Sequence, residues 1–221
     1  MNITYFETWF SPGLNMSLIL VSFLTFFILA LYLKIRRMAP TDTPTGIVLG
    51  ASVVVDFING FAKQNFGSRW KIYAPFILTL GLYLVFANTM GLFGVRPPTS
   101  SVNVTIGLST LSFLVIQGSG VATKGVKEYI KGFFQPLPFM FPLNIIGELA
   151  VPVSLGLRLF GNIFSGVIIT GLLYAFLGLT APVIAPFFHA IFDVFFGLIQ
   201  VVVFVLLVTI FTANSLASEN E

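Results

Sequence analysis

Arg158 stands inside Val151-Pro152-Val153-Ser154-Leu155-Gly156-Leu157-Arg158-Leu159-Phe160-Gly161-Asn162, and no other lysine or arginine follows Lys131. A central arginine in a membrane segment is unfavourable by about 2.5–3.5 kcal/mol on insertion scales, and a guanidinium keeps its charge under all physiological conditions. The chemistry open to such a group is electrostatic: it can attract or repel a charge that comes near. The bland alternative is an arginine that snorkels to a headgroup or closes a structural ion pair, and its depth in the apolar stretch favours the functional charge. Asn162 follows one turn later on the same face, and Ser165 continues the stripe. Further on, His189, Asp193 and Gln200 recur at i, i+4 and i+11. On an α-helix of about 100° per residue they share a sector of roughly 60°. Two antiparallel helices with such stripes could enclose a wet path or face a partner. Interhelical hydrogen bonding, worth about 0.6 kcal/mol per bond, explains Gln200 equally well. It explains Asp193 less well, because a carboxyl in lipid needs a proton, a partner or water. Glu148 is either part of an inlet funnel or a solvated terminal charge. Asn88 reads as a buried amide at the end of a span, Asn103 as a cap and Asp56 as part of a solvated face.

The elements that must position these groups follow from hydropathy. Apolar stretches run over about 17–33, 72–93, 102–121, 139–178 and 182–214, each long enough to cross a bilayer. The segment 46–68 mixes Val53, Val54, Phe57, Ile58 and Phe61 with Asp56, Asn59, Lys63 and Gln64 at helical spacing, the pattern of a helix lying along the interface. A helix over the fourth stretch would reach about 60 Å, twice the hydrocarbon thickness. It must tilt or bend, and Pro142 and Pro152 supply bend points. The expected fold is an all-α integral membrane protein: one membrane domain of about five crossing helices, an interfacial amphipathic helix and a long tilted C-terminal hairpin. Five crossings put Lys34, Arg36, Arg37, Lys63, Arg69, Lys71, Lys124, Lys127 and Lys131 on one side and Arg96 alone on the other. The positive-inside rule then places the N-terminus outside and the C-terminus in the cytoplasm. The first fifteen residues hold Glu7 and no basic residue, so the first apolar segment is expected to stay as a span rather than be removed as a signal peptide.

Composition narrows the function classes. Of 221 residues, 57% are hydrophobic and 9% charged, against roughly 25% charged in a soluble domain, so the bilayer is the expected solvent. Eleven basic against eight acidic residues are too few for a nucleic-acid footprint. The absence of cysteine removes disulfides and thiolate chemistry, and a single histidine argues against a histidine metal cluster. No phosphate loop, G-x-S-x-G or H-E-x-x-H motif occurs. No cofactor is expected.

The segment Pro152–Asn162 resembles the signature of subunit a in the membrane (Fo) sector of bacterial F-type ATP synthases. Asn88-Thr89-Met90-Gly91-Leu92, with Pro97-Pro98-Thr99 and Asn103-Val104-Thr105, is similar to a second block of that family, and Gln200 matches its glutamine on the last helix. The resemblance implies a stator subunit with two offset half-channels, facing a rotating ring of c subunits that each carry a mid-membrane carboxylate. It implies further partners in the b-subunit peripheral stalk, the other synthase subunits and membrane lipid, in a bacterial plasma membrane. Nucleotide chemistry would lie on other subunits. Arg158 would face the ring between the half-channels, favouring the ionised carboxylate and blocking direct leakage. At an effective dielectric of 20, charges 4 Å apart attract by about 4 kcal/mol, enough to bias occupancy without trapping it. Asn162 and Gln200 would orient the guanidinium or line the water paths, and His189, Glu148 and Asn88 would belong to those paths. Many family members carry a glutamate nine residues after the arginine and a histidine 35 after it; Val167 and Asp193 stand there in this chain. A relocated acid, with Asp193 serving the outer path beside His189, is the simplest expectation. Proton and sodium coupling both stay open. The rival class is a secondary transporter or a pumping subunit of another respiratory complex; transporters often contain repeated halves, which this chain lacks.

Overall fold

The computed structural model describes residues 12–38, 44–93, 95, 97–134, 137–180, 184, 187–188 and 190–217. Among the described residues the chain is helical, without strands: α1 (Pro12–Arg36), α2 (Ile47–Phe66), α3 (Trp70–Thr89), α4 (Val102–Lys124), the short α5 (Val126–Gly132), α6 (Phe141–Leu177), a π-helix (Ala190–Phe196) and α7 (Gly197–Ala217). Five segments are long and apolar enough to cross a membrane: Gly13–Arg36, Ile47–Thr89, Val102–Lys124, Pro138–Leu177 and Val194–Leu216. The all-α membrane architecture expected from hydropathy is therefore the one the chain adopts. Helices are the solution because lipid offers no hydrogen-bond partner, so each backbone amide must be satisfied within its own segment. Phe26, 73% exposed, and the neighbouring Leu18 and Ile19 show α1 turning large apolar side chains outward, as lipid permits.

The core joins Leu20 and Leu24 of α1, Ile77, Leu80 and Leu84 of α3, Leu155 and Leu159 of α6, and Val201, Phe204 and Val208 of α7. α4 packs against both α6 and α7, and α3 against α7. Close approach depends on small residues. A Cβ on Gly156 of α6 would sit 2.9 Å from Ser109 Oγ of α4, so these two helices meet almost backbone to backbone. The buried hydroxyls of Thr105, Ser109, Ser112 and Ser119 bond to carbonyls of their own helix. Their polarity is satisfied locally and their small volume remains available for packing.

Two turns shape the end of the bundle that carries the basic loops. Gly67, at φ 55°, ends α2 and lets it fold onto α3; the Phe66 and Tyr73 rings then meet at 4.9 Å, and Arg69 donates to Thr123 of α4. Gly125, at φ 79°, separates α4 from α5. α6 has 37 residues with Pro152 inside it, about 55 Å of helix against a hydrocarbon thickness of about 30 Å. The last apolar stretch differs from the regular α-helix assumed for the His189–Asp193–Gln200 stripe. Its Ala190–Phe196 portion is a π-helix, whose i→i+5 bonding inserts an extra residue per turn. Asp193 and Gln200 are thus out of the simple α register.

Candidate functional site

Arg158 lies next to the midpoint of α6. Leu155 and Leu159 on either side of it are 1% and 0% exposed and belong to the core, whereas Leu157 is 63% exposed. Arg158 is on the exposed side, and among the described residues it has neither a hydrogen bond nor an ion pair. On its own side of α6, Gly147, Val151 and Ser154 accompany it in a groove bordered by Leu207 and Phe211 of α7, while the exposed apolar Ile146, Leu149, Val153, Leu157, Phe164 and Val167 lie roughly 100–180° round the helix. A permanent charge halfway along a membrane-length helix, with no counter-ion among the described residues, is costly unless something outside the chain supplies one.

Asn162, one turn further on, gives its Nδ2 to the carbonyl of Phe196 at 3.3 Å. Asn88, at the end of α3, is 3% exposed and gives its Nδ2 to the next carbonyl, that of Gly197, at 3.0 Å. Its Oδ1 accepts from Thr99 at 3.2 Å. Two asparagine amides from different helices therefore converge on adjacent carbonyls where the π-helix gives way to α7. Such a junction disturbs the regular ladder and leaves carbonyls needing outside donors. Gly197 makes the contact with α3 possible, since a Cβ there would lie 3.2 Å from Asn88 Cβ. Gln200, one turn into α7, is 7% exposed, and its Nε2 is a buried atom without a hydrogen-bond partner. Asp193 lies on the π-helix that these bonds anchor; His189 lies outside the described residues.

The structure thus gathers Asn88, Asn162, Gln200 and the Asp193 segment at one junction, with Arg158 a turn away on α6. Glu148 is apart from them, ten residues before Arg158 and about 15 Å along the helix. It accepts from Gln117 Nε2 at 2.8 Å and lines a cavity of about 620 Å³ with Lys124, Glu128, Tyr129, Asn144 and Ser215. A smaller groove of about 210 Å³, lined by Ser154, Arg158 and Leu207, shares Gly147, Val151 and Phe211 with that cavity. The two spaces lie side by side along α6, and the second, mostly apolar one reaches the arginine. Thr99, Gln117 and Tyr129 escape sequence reasoning because their partners are remote in the chain. The only hint was a glutamine within the third apolar stretch.

A fixed charge, a buried donor without a partner and a cavity beside the groove that holds the charge are equipment suited to moving an ion. The chain matches the family model described as ATP synthase A chain over residues 15–213. ATP synthase subunit a of Anoxybacillus flavithermus is 34% identical, over 96% of this chain and 97% of that protein. The subunit a of Moorella thermoacetica is 32% identical, over 83% and 82% respectively. A third relative, the sodium ion specific ATP synthase subunit a of Propionigenium modestum, is 34% identical over 74% of this chain, and the match spans only 61% of that protein. The chain belongs to the ATP synthase A chain family, the ion-translocating stator subunits of the synthase's membrane sector.

Proposed function

We propose that Arg158 faces a ring of c subunits and stands between two half-channels, one on either side of the membrane. The observation that carries this reading is the exposed Arg158 near the midpoint of a membrane-length helix, with no counter-charge among the described residues. A ring carboxylate passing that face would supply the missing counter-charge. Lost when the carboxylate is protonated or loaded, an attraction of about 4 kcal/mol corresponds to roughly a thousandfold bias toward the empty site. The cavity at Glu148 serves as the cytoplasmic path. Asp193, with Gln200 and the asparagine junction, serves the outer path in place of the acid absent at Val167. The coupling ion is H⁺ or Na⁺, decided by ligands on the ring. The N-terminus is outside and the C-terminus cytoplasmic, in a bacterial plasma membrane. Ile47–Phe66 lies along the cytoplasmic interface, a b-subunit stalk holds the subunit still, and ATP chemistry takes place on other subunits.

Cysteine cross-linking in native membranes tests the reading, because the chain has no cysteine of its own. Leu157→Cys, on the exposed face, is expected to cross-link to mid-membrane cysteines of the c subunit and to stop ATP-driven pumping. Leu159→Cys, at 0% exposure, is expected not to. Assembled complexes without a Leu157 cross-link would remove the rotor-facing arginine.

A further inference from the structure

We propose that Gln117 and Tyr129 are positioning residues for Glu148: together they form a brace that fixes its carboxylate at the cytoplasmic cavity, on the approach to Arg158. The inference rests on the reading of that cavity as the cytoplasmic path and names the side chains that set its acid.

The brace has a direction. Gln117 spends its Nε2 on Glu148 Oε2, 2.8 Å away, which leaves its Oε1 to accept, and the Tyr129 hydroxyl donates to it. A glutamine oriented this way offers the carboxylate an N–H, and a hydrogen bond to a carboxylate is strong enough to fix its rotamer. The tyrosine keeps the amide from turning over. Burial first, and the charge of Glu148 second, raise the Tyr129 pKa above its ordinary 10.0, so the phenol remains a neutral donor throughout the working pH range.

The tyrosine itself is seated by the backbone. Gly120 lies three residues after Gln117 on α4, and a Cβ there would come within 2.8 Å of Tyr129 Cε2. Only a glycine leaves room for the ring. Tyr129 also meets Phe133 edge-on at 5.3 Å, and Asn144 of α6 donates to the Phe133 carbonyl at 2.9 Å. α5 is thereby fastened to the start of the helix that carries Glu148. Pro152 has no N–H, so the Glu148 carbonyl also lacks its usual helical donor, leaving a second acceptor at this position. The charged neighbours on the cavity wall are Lys124 of α4 and Glu128 of α5; α7 contributes only Phe211 and Ser215, and Arg158 of α6 stands in the adjoining groove. Among these groups, Gln117 is the one bonded to the Glu148 carboxylate.

The test is passive conduction of the coupling ion through the membrane sector in inverted vesicles stripped of the ATPase head. A potassium–valinomycin potential drives the flow while pH is varied separately on each face. Gln117→Leu is expected to displace the cytoplasmic-face midpoint, since the carboxylate loses the partner that fixes it, and to leave the outer-face profile in place. Tyr129→Phe keeps the ring and its packing, so it assembles even if Gln117→Leu does not. It should shift the same midpoint in the same direction by less, and Gly120→Ala should resemble it. In a Glu148→Gln background the Gln117→Leu shift should vanish. An unmoved cytoplasmic midpoint in assembled Tyr129→Phe and Gln117→Leu vesicles, equal shifts on both faces, or a shift that persists without Glu148 would each overturn the brace. The wider reading is scored separately by Arg158→Ala. If that variant still couples ion flow to ATP synthesis, the channel assignment fails, whatever the two positioning variants do.

Discussion

At the scale of single residues, the informative groups are those whose polarity the chain leaves unanswered. Arg158 has no counter-ion among the described residues, and Gln200 keeps a buried Nε2 without a partner. A buried unsatisfied donor costs about 1–3 kcal/mol, so a packing role alone would favour leucine at position 200. Gln200→Leu is expected to leave the detergent stability of the assembled complex unchanged or to raise it by about 1 kcal/mol, while ion-driven ATP synthesis falls. Unimpaired synthesis would reduce Gln200 to a packing residue. Asp193 poses the complementary case. Asp193→Asn conserves shape and removes the titrating proton, so it is expected to depress ATP synthesis in energised vesicles strongly while assembly persists. Near-normal synthesis would sink the idea that this acid replaces the one missing at Val167.

At the scale of elements, the junction at Phe196 and Gly197 decides how the last helix sits. Asn162 and Asn88 tie its two adjacent carbonyls to α6 and α3, and Thr99 holds Asn88 from the other side. Both polar ends of the Asn88 amide are engaged, so Asn88 braces the junction. Membrane hydrogen bonds average about 0.6 kcal/mol, so Asn88→Ala, which deletes two, should lower the stability of the subunit by about 1 kcal/mol in a denaturing-detergent titration. Gly197→Ala brings a methyl to 3.2 Å from Asn88 Cβ. It is expected to cost about 1–3 kcal/mol by overpacking, with ion conduction falling as the π-helix shifts. An alanine variant as stable as the parent would show that α3 and α7 have slack there.

At the scale of the whole molecule, five segments are long and apolar enough to cross a membrane. The cavity beside Glu148 is bounded by the end of α4, α5, the start of α6 and the end of α7, the ends that antiparallel packing brings to one face. The basic residues Lys124, Lys127 and Lys131 lie at that same face, the one that the proposed orientation turns to the cytoplasm. Lys127 and Asn103 are both exposed. A cysteine at 127 is expected to react with a membrane-impermeant maleimide from the cytoplasmic side only, and one at 103 from the outer side only. The opposite pattern would invert the orientation and exchange the two proposed paths.

The chain by itself determined its solvent, its helical class and its number of spans. A backbone in lipid has no choice but to bond within a helix, and long apolar stretches show where. It also determined the one charge that needs explaining, because Arg158 is alone after Lys131 and its penalty depends on depth more than on neighbours. Tertiary structure decided what hydropathy cannot encode. It distinguished the exposed Leu157 from the buried Leu159, gave Asn88 to a carbonyl 109 residues away, and turned part of the last helix into a π-helix that breaks the expected stripe. It also assembled Gln117, Tyr129 and Glu148 from three helices. Each of these depends on which helix faces lie against one another, and that choice rests on contacts such as Gly120 under the Tyr129 ring and Gly197 against Asn88. In the linear sequence such glycines look like any others.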